Sequence, residues 1–324
     1  MTSVIWPLGL ALASLTLSVE KVCGPQLIMN HLNPSQWRDA RLWLLGAFAA
    51  PIVLAFPAGA EPAMWVIRDK DSTIYLIGTL HLLRHEMEWN AAKVEKTVAE
   101  STELWLEAAE IDEGSMAPIV AQYGMDREKT LSSKLNAKQK EKLAKVAATY
   151  SVPLASLEPM QPWLAGVMFS ILPLQKAGYD PKRGVDRLLK AQADKEGDKV
   201  RGFETAQEQI RFFAELPQAE QIAFLEESLG DAEKGLAQLE KLAKAWIDGD
   251  SETLGNILVN ELKTKAPVLY EKFLVQRNIA WSKKIVEILT GSGVQQIAVG
   301  AGHLAGPDSL QVQLQKRGIK VDRY

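Results

Sequence analysis

The chain contains a single cysteine, Cys23, in 324 residues. One thiol makes neither an internal disulfide nor a cysteine-based zinc centre, so disulfide scaffolds and zinc ribbons are excluded. Histidine is scarce as well, four in all; His31 precedes residue 60, which leaves His81, His85 and His303 for the remainder. Positive charge is not in excess: 37 Lys and Arg face 40 Asp and Glu, for a net charge of −3. The basic footprint of a nucleic-acid binder is therefore missing. Low-complexity stretches and Pro/Gly/Ser-rich linkers are absent beyond residue 61, so residues 61–324 read as a single domain. The 47% hydrophobic and 24% charged content is that of an ordinary globular protein able to bury a sizeable core.

Long apolar runs are also lacking. Residues 42–56 are apolar but too short for a secure membrane span. Arg38 and Arg41 precede them, and Pro57 and Ala58-Gly59-Ala60 follow. That order of basic flank, apolar segment and small-residue site is the pattern of a secretory signal cleaved after Ala60. Counted from Met1 the signal is too long, whereas counted from Met29 it has ordinary length, so Met29 is the expected start. Residues 4–19 lack a basic flank and read as upstream sequence. The expected location is the periplasm or the exterior, with an uncleaved N-terminal membrane anchor as the alternative.

A β-hairpin is expected at 64–69 and 73–77. Helices follow over 91–100, 138–150, 162–176 and 184–196, with strands at 104–106, 199–203 and, briefly, 155–157. Helical periodicity then runs through 206–289, punctuated by Pro217, Gly230, Gly249 and Pro267. A strand at 296–299, a helix at 309–317 and a strand at 319–323 close the chain. Strands alternating with helices predict an α/β fold with a mainly parallel wrapped sheet, the long helical stretch being an insertion laid over it.

Two segments repeat one design: Tyr75-Leu-Ile-Gly78-Thr-Leu-His81-Leu82 and Ala298-Val-Gly300-Ala-Gly-His303-Leu304. Each is an apolar strand, a glycine, two small or apolar residues, then histidine. Ligands of wrapped α/β sheets bind outside the carboxyl ends of the strands, where both histidines fall. Glu107, Glu158 and Glu204 also follow predicted strands. Two imidazoles with one or two carboxylates suit a divalent ion such as zinc, manganese or cobalt, giving His81, His303 and Glu107 as candidate ligands and Glu107 or Glu204 as candidate general base. The plainer reading makes each His a strand-end cap and each Glu a solvated loop residue. His85-Glu86 does not extend to H-E-x-x-H, because position 89 is Trp, and His85 is read as peripheral. Arg277, beside Asn278, could hold a carboxylate of substrate or protein in a bidentate pair, or sit on a helix surface. Asp186 could cap a helix start or face the site, the cap being the expected role; Trp163, Trp246 and Trp281 read as core or cover.

Together, Gly78-Thr-Leu-His81, Glu103-Leu-Trp-Leu-Glu107, Gly184-Val-Asp186, Gly202-Phe-Glu204 with Gln209 nearby, Arg277-Asn278 and Val299-Gly-Ala-Gly-His303-Leu-Ala-Gly306 resemble the TraB/GumN family, over about residues 64–324. The resemblance extends to the TIKI proteins, metal-dependent proteases, and more distantly to erythromycin-esterase (EreA) and ChaN-like proteins. It implies a shared α/β fold with the two G-x-x-H histidines and nearby glutamates as the site. The expected activity is a metal-dependent hydrolase acting on a peptide or protein; the alternative is a non-catalytic binder of a peptide, pheromone or haem-like ligand.

The export reading is tested by intact mass and N-terminal sequencing of protein from its native host. The expected first residue is Glu61; a chain that still carries residues 42–56 has an anchor instead.

Overall fold

The computed structural model describes residues 61–89, 91–109 and 113–324; the export signal and start site read from residues 1–60 lie outside them. The expected hairpin consists of β1 (Met64–Arg68) and β2 (Ser72–Thr79), with Met64 opposite Ile77 and Arg68 opposite Thr73. Asp69 closes its turn, Oδ1 accepting the backbone N–H groups of Asp71 and Ser72 at 3.1 and 2.8 Å, as Asp does in tight turns. The other strands are β3 (Leu83–Arg84), β4 (Glu103–Ala108), β5 (Tyr179–Asp180), β6 (Lys199–Glu204), β7 (Gly293–Gly300) and β8 (Asp322–Arg323).

Six of them form one sheet in the order β6-β4-β7-β2-β1-β8, while β3 and β5 pair in a small antiparallel ribbon. Strands β6, β4, β7 and β2 run parallel; β1 is antiparallel to both β2 and β8. The mixed α/β class and the mainly parallel sheet are as the sequence predicted. The central strands are covered on both faces, which is why they read as nearly continuous apolar runs. Period-two alternation splits their side chains. Val66, Tyr75, Ile77 and Ala298 join the larger core. Ile67, Ile74, Leu76, Ile297 and Val299 pack instead with Trp281, Ile285 and Leu289 of the helix Gln276–Leu289.

Some elements differ from expectation. Residues 155–157 belong to a short helix, Leu154–Leu157, entered from Pro153. Three residues carry too little periodicity to separate strand from helix, and Pro153 sets up a turn. Glu158 thereby leaves the strand-end set; its Oε2 accepts Ser132 N–H at 3.1 Å. A helix at Glu113–Gly124 was not foreseen, since Pro118 lies inside it. The last strand shrinks to an exposed edge pair, and β7 begins earlier than expected, at Gly293. The helical stretch is broken twice by π-helical segments, Gly255–Asn260 and Glu271–Val275. Among the described residues no helix is long and apolar enough to cross a membrane.

Pairing Gly78 with Val299 and Thr79 with Gly300 sets the two G-x-x-H segments side by side on neighbouring parallel strands. The turn after β7, Ala301–Leu304, lies across the end of β2. A Cβ on Gly78 would stand 2.9 Å from Ala301 Cα, inside contact distance, and Trp246 Nε1 donates to the Gly78 carbonyl at 2.6 Å. Gly78→Ala is therefore expected to destabilise the chain by about 1–3 kcal/mol, the usual cost of overpacking. Urea unfolding should show a lower midpoint with an unchanged slope; an unmoved midpoint would mean that the Ala301 turn yields freely.

Candidate functional site

Adjacent parallel strands deliver one polar side chain each to the same rim: Glu204 ends β6, Glu107 lies near the end of β4, His303 follows β7 and His81 follows β2. His81, Glu107 and His303 line a cleft of about 560 Å³, open solvent at its mouth included. Its polar wall is His81, Glu107, Arg277 and His303, and its apolar wall is Leu258, Leu262, Phe273 and Leu274. The apolar wall rises from the two π-helical segments and the turn after the first. Such bulges often occur where a helix is shaped for function.

Glu107 is 7% exposed. Its Oε1 accepts the Gly300 N–H at 2.7 Å, and its Oε2 accepts from Arg277 Nη2 at 2.5 Å and Gln209 Nε2 at 3.3 Å. Burial alone would raise its pKa, but the Arg277 guanidinium, His303 and His81 outweigh it and hold the carboxyl well below the usual range. Glu204 responds differently: burial raises its pKa despite the opposing pull of Arg277. Trp281 Nε1 donates to its Oε1 at 3.1 Å.

Arg277 is buried at 5% exposure. Nε–H reaches both oxygens of Glu204, at 2.8 and 3.1 Å. Nη2 reaches Glu204 Oε2 at 2.9 Å as well as Glu107, and Nη1 reaches the Phe273 carbonyl at 3.2 Å and His303 Nε2 at 3.1 Å. The five donors of the guanidinium are thus taken by the protein itself. The carboxylates that Arg277 holds are the protein's own, and its ring neighbours are Trp281 and Phe212, 4.5 and 5.6 Å from Cζ to the centroid.

His303 is held neutral. Burial, with Arg277 and His81 alongside, brings its pKa down to about 3 against the pull of Glu107. Arg277 can only donate, so Nε2 is the acceptor and Nδ1 carries the proton. Nδ1–H then points to Asn278 Oδ1 at 2.7 Å. The Asn278 amide is oriented by its Nδ2, which donates to the carbonyls of Asp308 at 2.9 Å and His303 at 3.4 Å. Asn278 is therefore the residue that fixes the His303 tautomer.

His81 has a different environment. Its Nδ1 lies 3.1 Å from Asp186 Oδ1, off the line that a hydrogen bond needs. Neither ring nitrogen has a hydrogen-bond partner among the described residues. Burial lowers the pKa, but Asp186 and then Glu107 outweigh it, so the net shift is upward. Asp186 sits in the first turn of the helix Val185–Glu196, whose N-cap is Gly184 without a side-chain bond. It faces His81 instead of capping the helix as expected. Gly184 makes that approach possible, since a Cβ there would meet the His81 carbonyl oxygen at 2.5 Å and Asp186 Oδ1 at 2.9 Å. His85 stays outside the cleft, its Nδ1 2.9 Å from Arg183 Nη1.

A divalent ion on His81, His303 and Glu107 would need the Nε2 lone pair of His303, which faces Arg277, and would place a second cation against the guanidinium. No group of three or more His, Cys, Asp or Glu side chains among the described residues is arranged to hold a metal. With Arg277 in this position the donor set does not fit an ion. The structure brings Glu107, Glu204, His81, His303, Arg277 and Asn278 together at one rim. For Asp186 the sequence favoured the cap over the site-facing position that the structure shows, and it gave no sign of the apolar wall, because helix periodicity does not say which leucines line a cleft.

The chain is 24% identical to the uncharacterized protein YbaP of Escherichia coli K12 over 256 residues, covering 78% of this chain and 92% of that protein. The Shigella flexneri YbaP gives the same identity and coverage. An uncharacterized protein of Treponema pallidum is 21% identical over 273 residues, covering 80% and 82% respectively. No solved structure matches. The profile of the TraB/PrgY/gumN family spans residues 63–323, so nearly the whole described chain belongs to that family.

Proposed function

We propose that the cleft hydrolyses an amide bond and that the chain is an exported peptidase. The observation that carries this reading is His81: a buried imidazole lining the cleft, unpartnered at Nε2, with a carboxylate beside Nδ1. Turned slightly into line with Asp186, the ring has Nδ1–H held and Nε2 free to take a proton from an attacking water. Asp186 would stabilise the imidazolium formed in that step, as a carboxylate behind a catalytic histidine does. Thr79 Oγ1, buried without a hydrogen-bond partner and lining the same cleft, is a donor available to the oxygen of the scissile carbonyl. Leu258, Leu262, Phe273 and Leu274 offer an apolar surface for a substrate side chain.

The resemblance implies a metal-dependent form of this reaction, with manganese, cobalt or zinc on His81, His303 and Glu107, an arrangement that the contacts of Arg277 with His303 Nε2 and Glu107 Oε2 oppose. Chelation separates the two forms, since only the ion-dependent one loses turnover. Capture of a peptide, pheromone or haem-like ligand without cleavage is the non-catalytic alternative. Location outside the cytoplasm rests on the signal pattern of residues 38–60.

The test is cleavage of a peptide library by wild type, His81→Ala and Asp186→Asn, with folding checked by circular dichroism. His81→Ala is expected to lose about 10²–10⁴-fold in kcat/KM, the contribution of a positioned base. The base acts when neutral, so activity should rise with pH through the raised pKa of His81. Asp186→Asn removes the charge that favours the imidazolium, which lowers that pKa and moves the acid limb to lower pH while kcat falls. Equal turnover by wild type and His81→Ala would reject His81 as the base; no cleavage by wild type would favour the binder.

A further inference from the structure

The site already contains a cation. Arg277 lies between the ends of β4, β6 and β7, and its contacts are two carboxylates, Glu107 and Glu204, the imidazole nitrogen of His303 and one carbonyl, that of Phe273. Carboxylates and neutral imidazole are the ligand types that a divalent transition metal gathers. The same atoms cannot serve both partners. His303 gives its Nε2 lone pair to Arg277 and its Nδ1 proton to Asn278, which leaves no nitrogen for an ion. The guanidinium, at 5% exposure, is in a low-dielectric setting where two neighbouring positive charges repel strongly. It also has no exit without cost, because leaving would strand two buried carboxylates.

We propose that Arg277 is the built-in cation of this rim. It takes the place of a metal at the Glu107–His303 pair, and the native chain binds no divalent ion there. The inference concerns the same cleft as the proposed hydrolase but does not depend on hydrolysis. Withdrawing the guanidinium should uncover a latent ion site, since His303 Nε2, Glu107 Oε2 and the Glu204 carboxylate all face the position that it fills.

The experiment uses the full chain, stripped with chelator and titrated with Mn²⁺, Co²⁺ and Zn²⁺, with bound metal measured by elemental analysis, affinity by calorimetry, and Tm with and without ion. Wild type should take up no stoichiometric ion that depends on His303, and neither chelator nor ion should move its Tm. Arg277→Ala should have a lower Tm, bind an ion at least ~10-fold more tightly than wild type, one decade being 1.4 kcal/mol, and recover part of its Tm when the ion is added. Adding His303→Ala to that variant should abolish both gains. Arg277→Lys keeps the charge but not the planar fork, and should still exclude the ion. Stoichiometric metal in wild type that is lost with His303→Ala overturns the proposal, and uptake indifferent to His303→Ala supports it. If Arg277→Ala does not fold, wild type, His303→Ala and Arg277→Lys still decide. Absent peptide cleavage would defeat the hydrolase reading and leave this one standing; wild-type metal that is lost with His303→Ala would do the reverse.

Discussion

A guanidinium buried beside two carboxylates is stable only if nearly every donor and acceptor is matched, because each ion taken from water costs several kcal/mol that Coulomb attraction alone does not reliably return. The rim of this sheet meets that condition through Arg277. The β4–β6 register sets Ala108 opposite Glu204, so Glu107 and Glu204 arrive at neighbouring heights. The planar fork of arginine then spans both. The residue enters one turn after Phe273, whose carbonyl takes a further N–H. From that point the states of the other groups follow. Glu107 is kept ionised, His303 is kept neutral with a defined tautomer, and the helix Gln276–Leu289 is anchored to three strand ends. His81 alone is left with an uncommitted nitrogen, and that asymmetry between two sequence-similar histidines comes from which of them Arg277 reaches.

Close backbone approach is the second requirement. Glu107 reaches the Gly300 N–H because a side chain at position 300 would fall 3.0 Å from Oε1. His81 and Asp186 come together because Gly184 lets the start of one helix touch the strand-end carbonyl, an approach held by Val185 N–H bonded to Leu80 O at 2.9 Å. Glycine serves at these positions through the absence of Cβ and not through an unusual backbone angle, since Gly184 and Gly300 both have negative φ.

Much of the architecture was legible before any coordinates. The hairpin, the helices over 92–100, 162–176 and 185–196, and the closing strand–helix–strand order all carried periodicity or turn chemistry strong enough to read. The rim could be assembled because Gly78-Thr-Leu-His81 and Gly300-Ala-Gly-His303 repeat one pattern, and because Glu107 and Glu204 each fall at the end of an expected strand. What was not legible depended on tertiary context. Asp186 looks like a helix cap to any local rule, and only the packing of its helix against the end of β2 turns it towards His81. The π-helical segments at 255–260 and 271–275 add a residue to a turn without a compositional mark, so the cleft wall they build was invisible. Arg277 was ambiguous for a similar reason: a helix position i+4 from Phe273 can be buried or exposed until the partner strands are known.

The position of β7 in the sheet has a bearing on how the chain comes into being. β7 lies between β4 and β2, yet it begins at residue 293 of 324. Until those residues leave the ribosome, β2 and β4 have no common neighbour, and the four-stranded parallel centre cannot close. Pairing over such a separation is slow compared with local helix formation. A nascent chain therefore has the β1–β2 hairpin and the β4–β6 pair available to it, with nothing to join them until β7 emerges. A truncation ahead of residue 293 would remove His303 and leave β2 and β4 without the strand that joins them.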